Sequence, residues 1–97
     1  MSQASLHLIL YTSPLSRYAI TARRNCDALL DRLDRSRVNF EVCDVSQDPD
    51  RAAEDAICFT PTLVRRHPLP RMHVMGELSN IDALADLLDS AGAVPIR

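Results

Sequence analysis

The sequence predicts an α/β fold: a four-stranded mixed sheet with helices on both faces, in the order β-α-β-α-β-β-α. Three observations carry this. Leu6-His7-Leu8-Ile9-Leu10-Tyr11 is a short, nearly continuous apolar run, the pattern of a strand covered on both sides. A long segment of helical period separates it from a second strand-like run, and a βαβ unit of that spacing implies parallel strands with a right-handed crossover. Two further strand-like runs are then joined only by Pro68-Leu69-Pro70, which is too short for anything but an antiparallel hairpin.

Each element has its own local justification. After the first strand, Thr12-Ser13-Pro14-Leu15-Ser16 reads as a turn into a helix, with Ser13 as N-cap and Pro14 at the first helical position, where its missing N–H costs nothing. The helix is expected from Leu15 to about Asp34. Leu15, Tyr18, Ala19, Ala22, Cys26, Leu29, Leu30 and Leu33 recur at the spacing of one buried face. Val38 to Val45 alternates and then turns apolar, which suits a strand near a sheet edge. Asp48 can cap, and Pro49 open, a short second helix through Ala56 or Ile57. Thr62–His67 and Arg71–Met75 form the hairpin. Ser79 with Asp82 resembles a capping box for a last helix, whose buried face is Ile81, Leu84, Ala85, Leu87, Leu88 and Ala91, with Gly92 and Pro95 ending it.

The segment Thr60-Pro61-Thr62-Leu63 is the pivot of this reading. Proline has no N–H to donate and belongs at the start of a strand, and an X–Pro bond is readily cis. A Thr-Pro-Thr start to the third strand is what a thioredoxin-like fold carries beside its active site. The whole element order then matches the thioredoxin-like architecture.

Composition sets limits on function. The 97 residues are enough for one domain with one core, spanning 1–97, and 46% are hydrophobic. A formal charge of −2 gives no global field to recruit nucleic acid or an anionic membrane. The N-terminal residues lack the basic and apolar regions of a signal peptide, and no apolar run is long enough to span a bilayer, so a cytoplasmic protein is expected. Cys26, Cys43 and Cys58 contain no C-x-x-C pair and are expected to be reduced, packed thiols. His7, His67 and His73 do not share a metal-binding spacing; no metal and no cofactor are expected.

The chemistry of the first turn is decisive about what is missing. Redox proteins of this architecture place two reactive thiols where the first strand meets the first helix, and the helix N-terminus lowers the thiol pKa. Here Ser13 and Ser16 occupy those positions. A serine has no accessible alkoxide at neutral pH without a base, and none is nearby in sequence. Disulfide exchange at this site is excluded, and the chain is not expected to be an enzyme. Recognition remains. Asp48, Pro49, Asp50, Glu54 and Asp55 are candidate partner contacts, as surface groups at a βα junction. Arg65, Arg66 and Arg71 make the hairpin basic, either as a solvated edge that discourages sheet association or as a site for an acidic partner.

Several motifs together resemble the KaiB family of circadian clock proteins. They are Val42-Cys43-Asp44-Val45 before Asp48-Pro49, the Glu54-Asp55 pair, Thr60-Pro61-Thr62-Leu63, Pro68-Leu69-Pro70 and Gly76-Glu77-Leu78-Ser79. Thr12-x-Pro14-Leu15-Ser16 is also similar to the KaiB-like sensor domain of the SasA histidine kinase. The resemblance implies a non-catalytic protein that binds the KaiC ATPase in a thioredoxin-like form. A role as a kinase sensor module, with a histidine kinase as partner, is the alternative. It further implies that some members form a second fold, with Thr60, Pro61 and Thr62 at the junction and Gly76, Glu77 and Leu78 in the stretch linked to the change. A homodimer or homotetramer is compatible with the family. Glu77 stands where the family usually has aspartate, and the usual glycine before the first helix is missing.

Overall fold

The computed structural model describes residues 6–90. Within them the order is β1 (Leu6–Thr12), α1 (Ala19–Leu30), β2 (Val38–Asp44), α2 (Pro49–Glu54), β3 (Thr62–His67), β4 (Met72–Met75) and α3 (Ile81–Ser90). The sheet order is β2-β1-β3-β4. β1 pairs parallel with β2 and antiparallel with β3, and β3 pairs antiparallel with β4. The expected mixed sheet and hairpin are both present, with β2 on one edge.

Alternation along the strands sorts the residues into two layers. Leu6, Leu8, Leu10 and Leu63 join Ala22, Cys26, Leu29 and Leu30 of α1 and Leu84, Ala85 and Leu88 of α3 in the main core. Ile9, Tyr11, Cys43 and Val64 point to the opposite face and pack with Ala52 of α2. Helices therefore cover both faces, α1 and α3 together and α2 alone. The larger layer is apolar; the α2 layer is small and carries most of the polar contacts described below.

Local expectations fail at three places. α1 begins at Ala19, not at Leu15, and ends at Leu30, not near Asp34. The residues before it form tight turns: the Ser13 hydroxyl accepts from the Leu15 N–H at 3.2 Å, and the Ser16 hydroxyl from the Tyr18 N–H at 3.3 Å. Two successive serine turns satisfy these N–H groups locally, so nothing forces the chain into helix there. Leu15 is consequently left 93% exposed and is not part of the core stripe. At the other end Leu33 remains in the core although the helix has already finished.

The second difference is at α2, which stops at Glu54 after 6 residues. Asp48 caps it as expected, accepting from the Arg51 N–H at 3.2 Å, with Pro49 in the first turn. Ala56 then adopts φ 55°, which redirects the chain toward Pro61. The third concerns α3. Its cap is Asn80, whose Oδ1 accepts from the Ala83 N–H at 3.1 Å, and not Ser79. Asp82 does not reach back to a cap; it pairs with Arg32 of the segment after α1 at 2.5 Å. Leu87 is exposed, while Ile81, Leu84, Ala85 and Leu88 face inward as expected. Ala91, Gly92 and Pro95 lie outside the described residues.

Candidate functional site

Two features stand out once the elements are in place: the sheet end around Pro61, and a polar cluster under α2.

At the sheet end, β1 runs into the Ser13–Ser16 turn directly beside the start of β3. The Thr60–Pro61 bond is cis, as are His67–Pro68 and Leu69–Pro70 at the hairpin tip. Pro61 is fully buried, and Thr62 is buried with its hydroxyl donating to the Phe59 carbonyl at 2.8 Å. Ser16 Oγ donates to the Thr60 carbonyl at 3.4 Å, so the turn and the proline loop are tied together. The Gly76 N–H donates to the Pro61 carbonyl at 3.0 Å, and Asn25 Nδ2 to the Glu77 carbonyl at 2.8 Å. The chain leaves β4 through Gly76 at φ 100° and Leu78 at φ 61°, with Leu78 buried in the main core. A leucine at positive φ is costly, and its core packing offsets that cost. Thr60, Pro61, Thr62, Gly76, Glu77 and Leu78 are thus one connected junction in space, although two loops supply them.

Around this junction the surface is apolar. Phe59 is 65% and Met75 61% exposed, and Cys58 is exposed beside them. Two hollows flank the loop Ala56–Thr60. One, of about 220 Å³, reaches Ser13, Val45 and Ala52. The other, of about 300 Å³, reaches Thr62, His73 and Met75. Exposed side chains of this size around a concavity are the chemistry of a protein-contact surface. The Ser13 and Ser16 hydroxyls serve as turn and loop ties, and Cys58 lines the smaller hollow together with Ser13. Cys58 departs from the expected set of packed thiols; only Cys26 and Cys43 are buried.

The second feature is centred on Asp55. It is 1% exposed, which corrects its expected place among surface contacts. The Tyr11 hydroxyl of β1 donates to its Oδ2 at 2.5 Å. Arg66 Nε of β3 lies 3.5 Å, and Arg71 Nη1 2.9 Å, from its Oδ1. Arg71 aims an N–H at the Glu54 carbonyl at 3.4 Å, so Asp55 Oδ1 is ion-paired without an aligned hydrogen bond. His73 Nε2 of β4 sits 2.6 Å from the Asp55 carbonyl oxygen. Burial above all, and then the neighbouring Asp55 carboxylate, push the Tyr11 phenol well above its ordinary pKa. The phenol is therefore a fixed donor at any physiological pH.

A second ionic group adjoins it at the β2 edge. Glu41 accepts from Arg51 of α2 at 2.8 Å and contacts His7 Nε2 of β1 at 2.6 Å. Arg51 first, and His7 second, hold the Glu41 carboxyl down at about 2. α2 is thereby fixed at one side by Glu41–Arg51 and at the other by Asp55.

The basic hairpin also differs from expectation. Arg65 is only 5% exposed; it points into the main-core face and donates to the Pro70 carbonyl at 2.8 Å. Arg66 and Arg71 are engaged with Asp55 and Glu54. The three arginines are structural, so the hairpin is not a free basic surface. Strand position places two of them: Arg65 continues the inward face of Leu63 and is buried, and Arg66 is the extra residue where the β1–β3 register shifts. Asp55 follows Ala52 by three residues and so shares its inward side. That spacing is the signal in the sequence that could have placed it. Asp48, Pro49, Asp50 and Glu54 are exposed, as expected of partner contacts. Among the described residues no group of three or more metal-ligating side chains exists, and no helix is long and apolar enough to cross a membrane.

Residues 9–90 match the KaiB domain family. The chain belongs to the KaiB family. Against the circadian clock protein KaiB3 of Synechocystis sp. it is 39% identical over 51 residues, which are 53% of this chain and 50% of that protein. The chain thus spans half the length of this relative. Against the circadian clock oscillator protein KaiB of Thermostichus vulcanus it is 30% identical over 82 residues, 84% of this chain and 76% of that protein. Among solved structures, the N-terminal domain of Synechococcus elongatus SasA superposes with a TM-score of 0.71 at 21% identity, covering 93% of this chain and 84% of that one. Fasciola hepatica thioredoxin superposes with a TM-score of 0.73 at 18% identity, covering 92% and 83%. These likenesses establish the thioredoxin-like fold for this KaiB-family chain.

Proposed function

We propose that this chain is a regulatory protein of a clock-related or stress-signalling system, which acts in the cytoplasm by docking on a KaiC-type ATPase and catalyses no reaction itself. Membership of the KaiB family across residues 9–90 carries this reading. Its chemistry agrees: hydroxyls stand where a redox relative needs thiols, and an exposed apolar rim borders an acidic helix. The docking surface we assign is the exposed side of α2, Asp48, Pro49, Asp50 and Glu54, with Phe59 next to it. Asp55, Arg66 and Arg71 support that surface from beneath and do not touch the partner.

The test is co-elution of the purified chain with a KaiC homologue, with and without nucleotide. The wild type is expected to bind. Asp50→Arg with Glu54→Arg should weaken binding by about ten-fold or more, chiefly through orientation of the encounter. Equal binding by both proteins would remove α2 as the contact. Failure of the wild type to bind any KaiC-type ATPase would overturn the reading itself.

A further inference from the structure

We propose that two copies of this chain pair antiparallel along β4, with the two-fold axis at Val74, so that their sheets join into one. The sheet order is β2-β1-β3-β4, so β4 has a partner strand on one side only among the described residues. Backbone groups along an antiparallel pair point alternately toward the partner and away from it. The Gly76 N–H donates to the Pro61 carbonyl at 3.0 Å, and these two residues lie opposite each other, one step beyond the Thr62–Met75 pair. Counting back by twos, Val74 faces Leu63 and Met72 faces Arg65 through hydrogen bonds. The N–H and C=O groups of His73 and Met75 therefore point out of the sheet edge. Nothing along the strand blunts that edge: Met72–Met75 holds no proline, lysine or carboxylate, and its register with β3 has no bulge.

Only an extended backbone offers donors and acceptors at this spacing, and a second β4 is such a backbone. With the axis at Val74, His73 of each copy lies opposite Met75 of the other, and both positions exchange their free bonds. The same register sets Arg71 of each copy beside Glu77 of the other, at both ends of the seam. Glu77 is exposed, and Arg71, whose Nη1 meets Asp55 within its own copy, keeps 39% of its side chain exposed. An axis at His73 would set Arg71 against Met75 and lose this match. Opposite charges facing across a ladder favour a pairing and like charges oppose it, so charge complementarity selects both the occupant and the register.

The apolar side chains agree. On the α2 side Met75, 61% exposed, is brought against His73 of the other copy and loses contact with water. On the α3 side the two Val74 side chains meet across the axis. The other edge of the sheet has no such fit: β2 carries Glu41 and Asp44 and no cation to answer them. β4 spans four residues, so the interface is at the small end of the range for specific contacts, and the expected Kd is about 10–100 µM.

Sedimentation equilibrium of the full chain, over concentrations spanning that Kd, tests this. The wild type should pass from monomer to dimer. Met75→Pro removes an outward N–H and leaves the bonds to β3 in place; it should raise the Kd by about ten-fold or more. Glu77→Arg, on an exposed side chain that tolerates the change, sets like charges together at both ends and should raise it by about five-fold. In a Cys58→Ser background, Val74→Cys should cross-link to itself on mild oxidation, because partners in a non-hydrogen-bonded pair lie about 4.5 Å apart at Cα, within disulfide reach. Met72→Cys, which faces Gly76 of the other copy, should not. A wild type that stays monomeric overturns the proposal. A dimer that Glu77→Arg leaves unchanged overturns it too, since that dimer uses another surface. Cross-linking of Met72→Cys as fast as that of Val74→Cys refutes the register.

Discussion

Replacing Tyr11 by phenylalanine isolates the most demanding contact in the structure. The substitution keeps the ring in the α2 layer and removes one hydroxyl, whose hydrogen donates to Asp55 Oδ2 at 2.5 Å and whose oxygen lies 3.3 Å from the Arg51 carbonyl. A hydrogen bond to a charged group contributes about 1.5–3 kcal/mol, and a buried acceptor left without its donor adds its own desolvation cost. Arg66 and Arg71 remain on the other carboxylate oxygen and limit the damage. The expected loss is about 2–3 kcal/mol, equivalent to about 10–20 °C in Tm for a domain of this size. Urea unfolding followed by circular dichroism measures it. A double-mutant cycle with Asp55→Asn should show that the two losses do not add, with a coupling of about 1 kcal/mol or more. A Tyr11→Phe loss below about 0.5 kcal/mol, the range of an ordinary surface change, would refute the claim that this pair holds α2 on the sheet.

Two other predictions concern titrating groups. Glu41 is held at about 2 against an ordinary value of 4.5, so its contribution is complete above the unfolded value and is lost as pH falls from about 4.5 toward 2. Glu41→Gln should therefore cost about 1 kcal/mol at neutral pH, after allowance for a side chain a third exposed, and the difference from wild type should close in acid; a gap constant down to pH 2 would contradict the assignment. Burial pushes the Cys26 thiol up to about 12 and raises that of Cys43, whereas Cys58 is exposed. Ellman's reagent should find one fast thiol in the native chain and all three in denaturant; two or more fast thiols in the folded protein would place Cys26 or Cys43 wrongly.

The elements that could be read from the sequence are those whose cause is local. The nearly continuous apolar run from Leu6 to Tyr11, the Asp48-Pro49 start and the short Pro68-Leu69-Pro70 link each act within a few positions. What could not be read depends on distant partners. Asp55 looks like one more acid on an exposed helix until Tyr11, 44 positions away, and two arginines of the hairpin are brought to it. Arg65 reads as an outward charge because arginine is rarely buried, yet its strand position leaves it no outward side. The start of α1 differs from the sequence expectation for another reason. Ser13 and Pro14 are sound helix-start residues, but the same hydroxyl chemistry closes turns, and Ser16 repeats it one step later. Asp48, Pro49, Asp50 and Glu54 are exposed, whereas Asp55 is buried against the sheet.

The late start of α1 also bears on what a thiol placed in this turn would meet. A thiol at a helix N-terminus is activated by the field of the helix, which fades within the first turn. Ser16 precedes the first helical residue, Ala19, by three positions, and its side chain is turned to the Thr60 carbonyl. Exchanging Ser13 and Ser16 for cysteines would restore the letters of a redox motif without its electrostatics. At position 16 the incoming thiol would meet one amide N–H, from Tyr18, and the Thr60 carbonyl oxygen, which opposes ionisation, where a helix N-terminus would offer several aligned amide hydrogens. The backbone of this turn, as well as its two side chains, departs from the arrangement that activates a thiol, and exchanging the two residues alone would not supply it.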